Sequence, residues 1–197
     1  MSSSTFTNDT IRDAILKAAR RRFQRYGYTK TNLHEIATDV NMSAGNLYRY
    51  FKNKRDIALA CCVQLINERT QEIRNIIQDP QLTCSDRLRI YALSILSHSK
   101  TMAADPAYNN ELAELMTTGC PDLIHNKFAQ QLSIIGTILS QGNHNGEFQI
   151  DNVHDKAKTI HTALLVLEVP GFIPLFSEKA WEARILSLID SLLTDLS

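Results

Sequence analysis

MSAGNLYRYF, residues 42–51, ends like a short amphipathic helix but begins with Ser43, Gly45 and Asn46. Glycine inside a helix costs about 1 kcal/mol relative to alanine, and asparagine is a mediocre helix former. A stretch that accepts this handicap and then presents Tyr48, Arg49 and Tyr50 in succession is shaped for something other than its own stability. Ser43 suits an N-cap, and the first turn it opens has N–H groups free for an anion. Gly45 removes the side chain that would keep the backbone away from a partner. Leu47 and Phe51, four residues apart, share one face and hold the segment against a core.

The segment before it is a second short helix, with Thr31 as its expected N-cap and Leu33, Ile36, Ala37 and Val40 as its apolar stripe. Only Asn-Met-Ser separates the two. Two short helices joined by so tight a turn form a helix-turn-helix pattern, in which the second helix enters the DNA major groove. Ser43, Tyr48, Arg49 and Tyr50 then present donors of the kind that fix register on phosphates, and Lys52 and Lys54 extend that contact. Asn46 and Ala44 are small and fall near the groove floor, where an amide can read adenine and a methyl can touch thymine. Aromatics at helical spacing also build cores, and Tyr50 by itself fits either place.

Charge is distributed accordingly. Residues 1–60 hold 11 Lys and Arg against 5 acids, and the remaining residues carry 10 against 16, so a chain of net charge zero has a basic head and an acidic remainder. One end is built to meet a polyanion. A helix before the pair, from about Thr10 to Tyr26, is marked by Ile11, Ile15, Ala18, Ala19 and Phe23 and stopped by Gly27. A longer helix follows over Lys54–Gln78, which at ~1.5 Å per residue spans roughly 37 Å.

With seven Gly and five Pro in 197 residues, and no strand-like alternation, the rest also reads as helices, giving an all-α chain of about nine. Cys61, Cys62, Cys84 and Cys120 lack CxxC spacing and read as free buried thiols. The six scattered histidines form no metal set, so no metal or cofactor is expected. There is no apolar span of about 18 residues and no signal-peptide pattern at the N-terminus, so a cytoplasmic protein without membrane contact is expected. No GxSxG, phosphate-binding Gly loop, HExxH or paired-carboxylate site stands out, so no catalytic residue is named and an enzyme is not expected.

AILKAARRRFQRYGYTKTNLHEIATDVNMSAGNLYRYFKNKRDIALA, residues 14–60, resembles the N-terminal domain of TetR-type transcriptional regulators. The Ala-Ala then Phe, Gly-Tyr and Thr, Ile-Ala, Ser-x-Gly-x-Leu-Tyr-x-x-Phe and Lys landmarks occur in order, over about a quarter of the chain. The resemblance implies a three-helix DNA-binding domain, here 8–68, and a larger helical-bundle domain for ligand sensing and dimerisation, 69–197. It also implies a homodimer on a palindromic DNA operator and repression relieved by a small-molecule effector. The contacts it carries over are Thr31, Ser43, Ala44, Gly45, Tyr48, Arg49, Tyr50 and Lys54. Asn41-Met42 stands where Gly-Val is common, and Asn41 suits a left-handed turn. Ala44 replaces a residue that is often polar, and Tyr50 one that is often His. An activator, or a helix-turn-helix used for protein contacts, is the alternative reading.

Beyond about residue 65 the periodicity alone speaks. Ile160, Leu164 and Leu167, with Trp181, Ile185, Leu188 and Leu192, form two stripes spaced by threes and fours, expected to build a four-helix dimer interface from about 155–170 and 178–195. Tyr91, Met102, Tyr108, Met116 and Phe128 on the middle helices are the candidate ligand pocket, with His98, Asn109 and Glu111 as polar groups.

Overall fold

The computed structural model describes residues 8–103, 111, 114–116, 118 and 120–194. Among these the chain is all-helical and without a strand. Its α-helices with defined bounds are α1 (Asn8–Tyr26), α2 (Leu33–Asp39), α3 (Ala44–Leu47), α4 (Lys54–Ile77), α5 (Cys84–Ala103), α6 (Pro121–His144), α7 (Val153–Leu164) and α8 (Glu178–Thr194). Two 3₁₀ segments, Leu165–Glu168 and Pro170–Leu175, lie between α7 and α8, and residues 111, 114–116 and 118 are also helical. The residues fall into two compact units, one within 1–67 and 107–124, the other within 68–106 and 125–197. The described residues between 111 and 124 belong with the first unit, across the division expected at residue 68.

The first unit is held by Ile15, Ala18, Ala19 and Phe23 of α1, Ile36 and Ala37 of α2, Leu47, Phe51, and Ile57, Ala58 and Cys61 of α4, all buried. Leu115, Met116, Cys120 and Leu123 pack on this same core. Gly27 stops α1 at φ +86°, its N–H reaching the Phe23 carbonyl. The cap of α2 corrects the sequence expectation. Asn32, not Thr31, is the N-cap: its side chain accepts from Glu35 N at 3.0 Å while the Glu35 carboxylate accepts from Asn32 N at 3.0 Å.

The second unit buries Leu88, Tyr91, Ala92, Ile95 and Leu96 of α5 against Ile134, Ile135, Ile138 and Leu139 of α6 and the apolar sides of α7 and α8. Glu147 caps α5 from a distance, accepting from Cys84 N and Ser85 N at 2.7 Å each, where a carboxylate also suits the helix dipole. Asn152 caps α7 through Asp155 N. The stripe expected over 155–170 is shorter as a helix, because after Leu164 the chain tightens into 3₁₀ turns through VPGFIP, whose prolines withhold backbone donors. The expected dimer side chains Ile160, Leu164, Leu167, Trp181 and Ile185 are buried in the chain's own core. As placed, these five are not a surface that a second copy could meet. Leu188 and Leu192 are partly buried against the same core.

The four cysteines are free thiols, and burial pushes Cys62 up to about 11. Among the described residues no helix is long and apolar enough to cross a membrane, and no group of three or more His, Cys, Asp or Glu could hold a metal ion.

Candidate nucleic-acid interface

The turn between α2 and α3 forms as its residues require. Asn41 takes φ +55°, and Met42 N reaches back to the Ala37 carbonyl at 2.9 Å, closing α2 and starting the next element within three residues. Ser43 is the N-cap of α3, its hydroxyl accepting from Asn46 N at 3.2 Å. The α-helix ends at Leu47 rather than at Tyr50 or Phe51. Hydrogen-bonded turns continue it, with the tighter three-residue bonds Arg49 N to Asn46 O and Tyr50 N to Leu47 O followed by a four-residue bond from Phe51 N to Leu47 O.

Leu47 and Phe51 lie in the core, which fixes the outward direction of the residues between and beside them. Ser43, Gly45, Tyr48, Arg49 and Lys52 are exposed, with Tyr48 at 54%. Ala44, Asn46 and Tyr50 are half-buried. Gly45 has no reason within the fold to be glycine: a Cβ built there meets only the Ser43 hydroxyl, at 4.0 Å, and its φ is not in the left-handed region.

Two expected contacts face elsewhere. Thr31 is buried, and its hydroxyl donates to the Gly27 carbonyl at 2.8 Å. The Lys54 ammonium donates to the carbonyls of Tyr28 (2.8 Å), Thr29 (3.3 Å) and Thr31 (2.9 Å) and lies 4.4 Å from the Tyr28 ring centroid. A phosphate would have to share that cation with three carbonyls. Both residues tie the α1–α2 turn to the start of α4.

Other groups support the segment without having stood out in the sequence. Arg12 of α1 donates to the Tyr50 carbonyl at 2.6 Å and stacks 4.2 Å from the Phe51 ring centroid, so one guanidinium holds both chain and ring. Arg22 forks onto Asp39 at 2.7 and 2.8 Å and reaches Glu35 at 3.3 Å, binding α1 to α2. That hydrogen-bonded pairing holds Asp39 below the usual carboxylate range and raises Arg22. Arg12 and Arg22 had been indistinguishable from the other bases of α1. Only Asn32-x-x-Glu35 carried a readable local signal, that of a capping box. Lys17, Arg21, Arg25 and Lys30 are left exposed around the pair, alongside Arg49 and Lys52.

The expected pocket residues are divided between the two units. Tyr91 and Phe128 belong to the second unit and Met116 to the core of the first; Met102 is half-buried at the end of α5, and Tyr108 and Asn109 lie outside the described residues. Glu111 belongs with the α1–α2 turn.

Residues 15–61 match the family model described as bacterial regulatory proteins, tetR family. The chain is similar to the HTH-type transcriptional regulator YhgD of Bacillus subtilis, 27% identical over 128 residues that make up 65% of this chain and 66% of that protein, just under two thirds of it. It is 26% identical over 183 residues to the HTH-type transcriptional regulator QacR of Staphylococcus aureus, covering 89% of this chain and 90% of that one. In fold it is similar to a transcriptional regulator from Cytophaga hutchinsonii, with TM-score 0.71, 22% identity, and 93% and 97% of the two chains covered. The family match lies on the helix-turn-helix described above, and residues 15–61 form an N-terminal DNA-binding domain of the tetR family of bacterial regulatory proteins.

Proposed function

We propose that this regulator is a repressor that binds a palindromic operator as a homodimer and leaves it when a small molecule binds, with 8–68 as the DNA-binding domain and 69–197 as the sensing and dimerisation domain. Gly45 carries the DNA part of the reading. It is exposed, at the start of a capped helix whose back is fixed by Leu47 and Phe51, and the fold places no demand on it. A bare backbone there serves a partner that approaches closely. Ser43, Ala44, Asn46, Tyr48, Arg49, Tyr50 and Lys52 surround it as the contact surface, with Thr31 and Lys54 acting mainly through the turn they hold.

For the dimer, exposed neighbours replace the buried stripe. Val166, Val169, Phe172 and Leu175, in and between the two 3₁₀ segments, are 42–66% exposed. With the half-buried Leu188 and Leu192 they offer a second copy an apolar face.

Selection of bound sequences from a random DNA pool tests the operator, and sedimentation equilibrium tests the dimer. The expected result is a palindrome whose half-sites are about one helical turn apart, bound with steep salt dependence by a species dimeric at micromolar concentration. A pool without enrichment overturns DNA reading, a monomer overturns the two-fold arrangement, and a reporter that rises with the protein makes it an activator.

A further inference from the structure

Inside the second unit, α4, α5, α6, α7 and the first 3₁₀ segment bring polar groups together in an otherwise apolar interior. Both oxygens of Glu168 are engaged: one accepts from Lys127 Nζ at 2.5 Å, the other from Gln131 Nε2 at 2.6 Å. The amide oxygen of Gln131 lies 3.0 Å from His161 Nε2, which closes this half of the cluster. Lys127 and Glu168 neutralise each other.

The other half is left open. Arg69 of α4 is half-buried, and its acceptor among the described residues is the Ser94 carbonyl, at 3.2 Å. Nearby, the Tyr91 hydroxyl is buried, with the residue 1% exposed, and has no hydrogen-bond partner among the described residues. The Ser94 carbonyl that holds Arg69 lies one turn along α5 from Tyr91, which brings the guanidinium near the phenol. Burial lowers His98 to about 4 and also lowers His161, so both are neutral at pH 7, while Glu168 and the exposed Glu72 act on Arg69 without an ion pair to it among the described residues. A guanidinium with a single carbonyl acceptor, beside a buried hydroxyl donor without one, leaves donors in excess that an anionic oxygen would satisfy.

We propose that the effector carries a carboxylate or an equivalent singly charged oxyanion, which takes the Arg69 guanidinium and the Tyr91 hydroxyl as its partners, with its apolar body in the surrounding core. This rests on the reading of the second unit as the sensing part. The Lys127–Glu168 pair sets the polarity, because it leaves no free carboxylate to receive a cationic effector.

The test uses the full chain and a panel of alkyl and fused-ring bodies of graded size, each supplied as carboxylate, alcohol and ammonium. Thermal midpoint and operator binding are read in the same samples. Carboxylates are expected to raise the midpoint and release operator DNA, while their alcohol and ammonium counterparts do neither. Arg69→Met weakens the carboxylates about tenfold or more, as loss of a charge-assisted hydrogen bond does. Tyr91→Phe also weakens them but leaves the ligand-free midpoint unchanged or raised, since its hydroxyl has no partner to lose. Preference for the ammonium members, equal carboxylate binding by Arg69→Met, or no binding by any member overturns the proposal. Failure here with operator binding intact leaves the DNA-binding reading standing, whereas loss of operator binding by the untreated protein sinks that reading instead.

Discussion

Glu111 holds Thr29 twice, its carboxylate accepting the Thr29 hydroxyl at 2.7 Å and the Thr29 N–H at 3.2 Å, and it also accepts Tyr28 N–H at 2.6 Å. A residue more than 80 positions away in sequence thus closes the turn that α1 and α2 share. Burial pushes its carboxyl up, but the hydrogen bonds from Thr29 and Tyr28 and the nearby Lys54 outweigh this and hold it below the usual range. Its contribution is therefore complete above the ordinary Glu value of about 4.3 and is lost as pH falls through the lower folded value. Glu111→Gln is expected to lower the midpoint at pH 7 by a few degrees, at roughly 1 kcal/mol per weakened hydrogen bond. The variant's deficit should shrink below about pH 4, as seen by calorimetry at the two pH values.

Lys54 and Lys52 separate structure from contact. Lys54→Ala leaves three carbonyls of the α1–α2 turn without their ammonium and is expected to lower the thermal midpoint. Lys52→Ala is expected to leave the midpoint unchanged while weakening operator binding and flattening its salt dependence by about one unit of slope per half-site. An unchanged midpoint for Lys54→Ala speaks against the inward role of its ammonium.

Gly45→Ala should move stability and binding in opposite directions. The added methyl has room, and alanine is the better helix former by up to about 1 kcal/mol, so the midpoint holds or rises. Operator affinity falls because the methyl occupies the approach of the DNA backbone. A band-shift titration in which this variant binds as tightly as the parent removes close approach as the reason for glycine.

Gly142 is required by packing alone. Although it lies within α6, a Cβ there would sit 2.0 Å from the Phe148 ring, which folds back as Glu147 N and Phe148 N bond to the Gly142 carbonyl. Gly142→Ala is expected to cost about 1–3 kcal/mol as an overpacked site. Combining it with Phe148→Leu should cost less than the sum of the two single changes in urea denaturation.

His98 makes the second unit acid-sensitive above the carboxylate range. Burial, with Arg69 and Lys127 against it and Glu168 in its favour, sets its pKa to about 4, while the unfolded chain titrates near 6.5. Between these values the unfolded state takes up a proton that the folded state refuses, so stability falls as pH drops from about 6.5 toward 4. His98→Gln should flatten that slope in urea midpoints measured at pH 7 and 5, leaving the smaller share of His161.

Much of the DNA-binding head was legible because its signals are local. The stripe of α1, the stop at Gly27, the left-handed Asn41 and the Ser43 cap each depend on a few neighbouring residues. The misreadings there were also local in kind. Thr31 and Asn32 are both capping residues, and only Glu35 three positions on separates them; Lys54 is an ordinary lysine until the turn carbonyls are placed around it.

The sequence by itself determined that the chain is helical, that its basic first third holds a helix-turn-helix, and which face of α3 is buried, since helical periodicity and turn chemistry are set over a few residues. Tertiary structure alone decided which apolar stripes of the second half face inward. Ile160 and Trp181 show the same spacing whether they meet their own core or a second copy, and the winner is the surface brought within reach. It likewise decided that Glu111 closes the α1–α2 turn and that Arg69 reaches α5 one turn from the unpartnered Tyr91 hydroxyl. Such pairings join distant parts of the chain, so no local pattern records them.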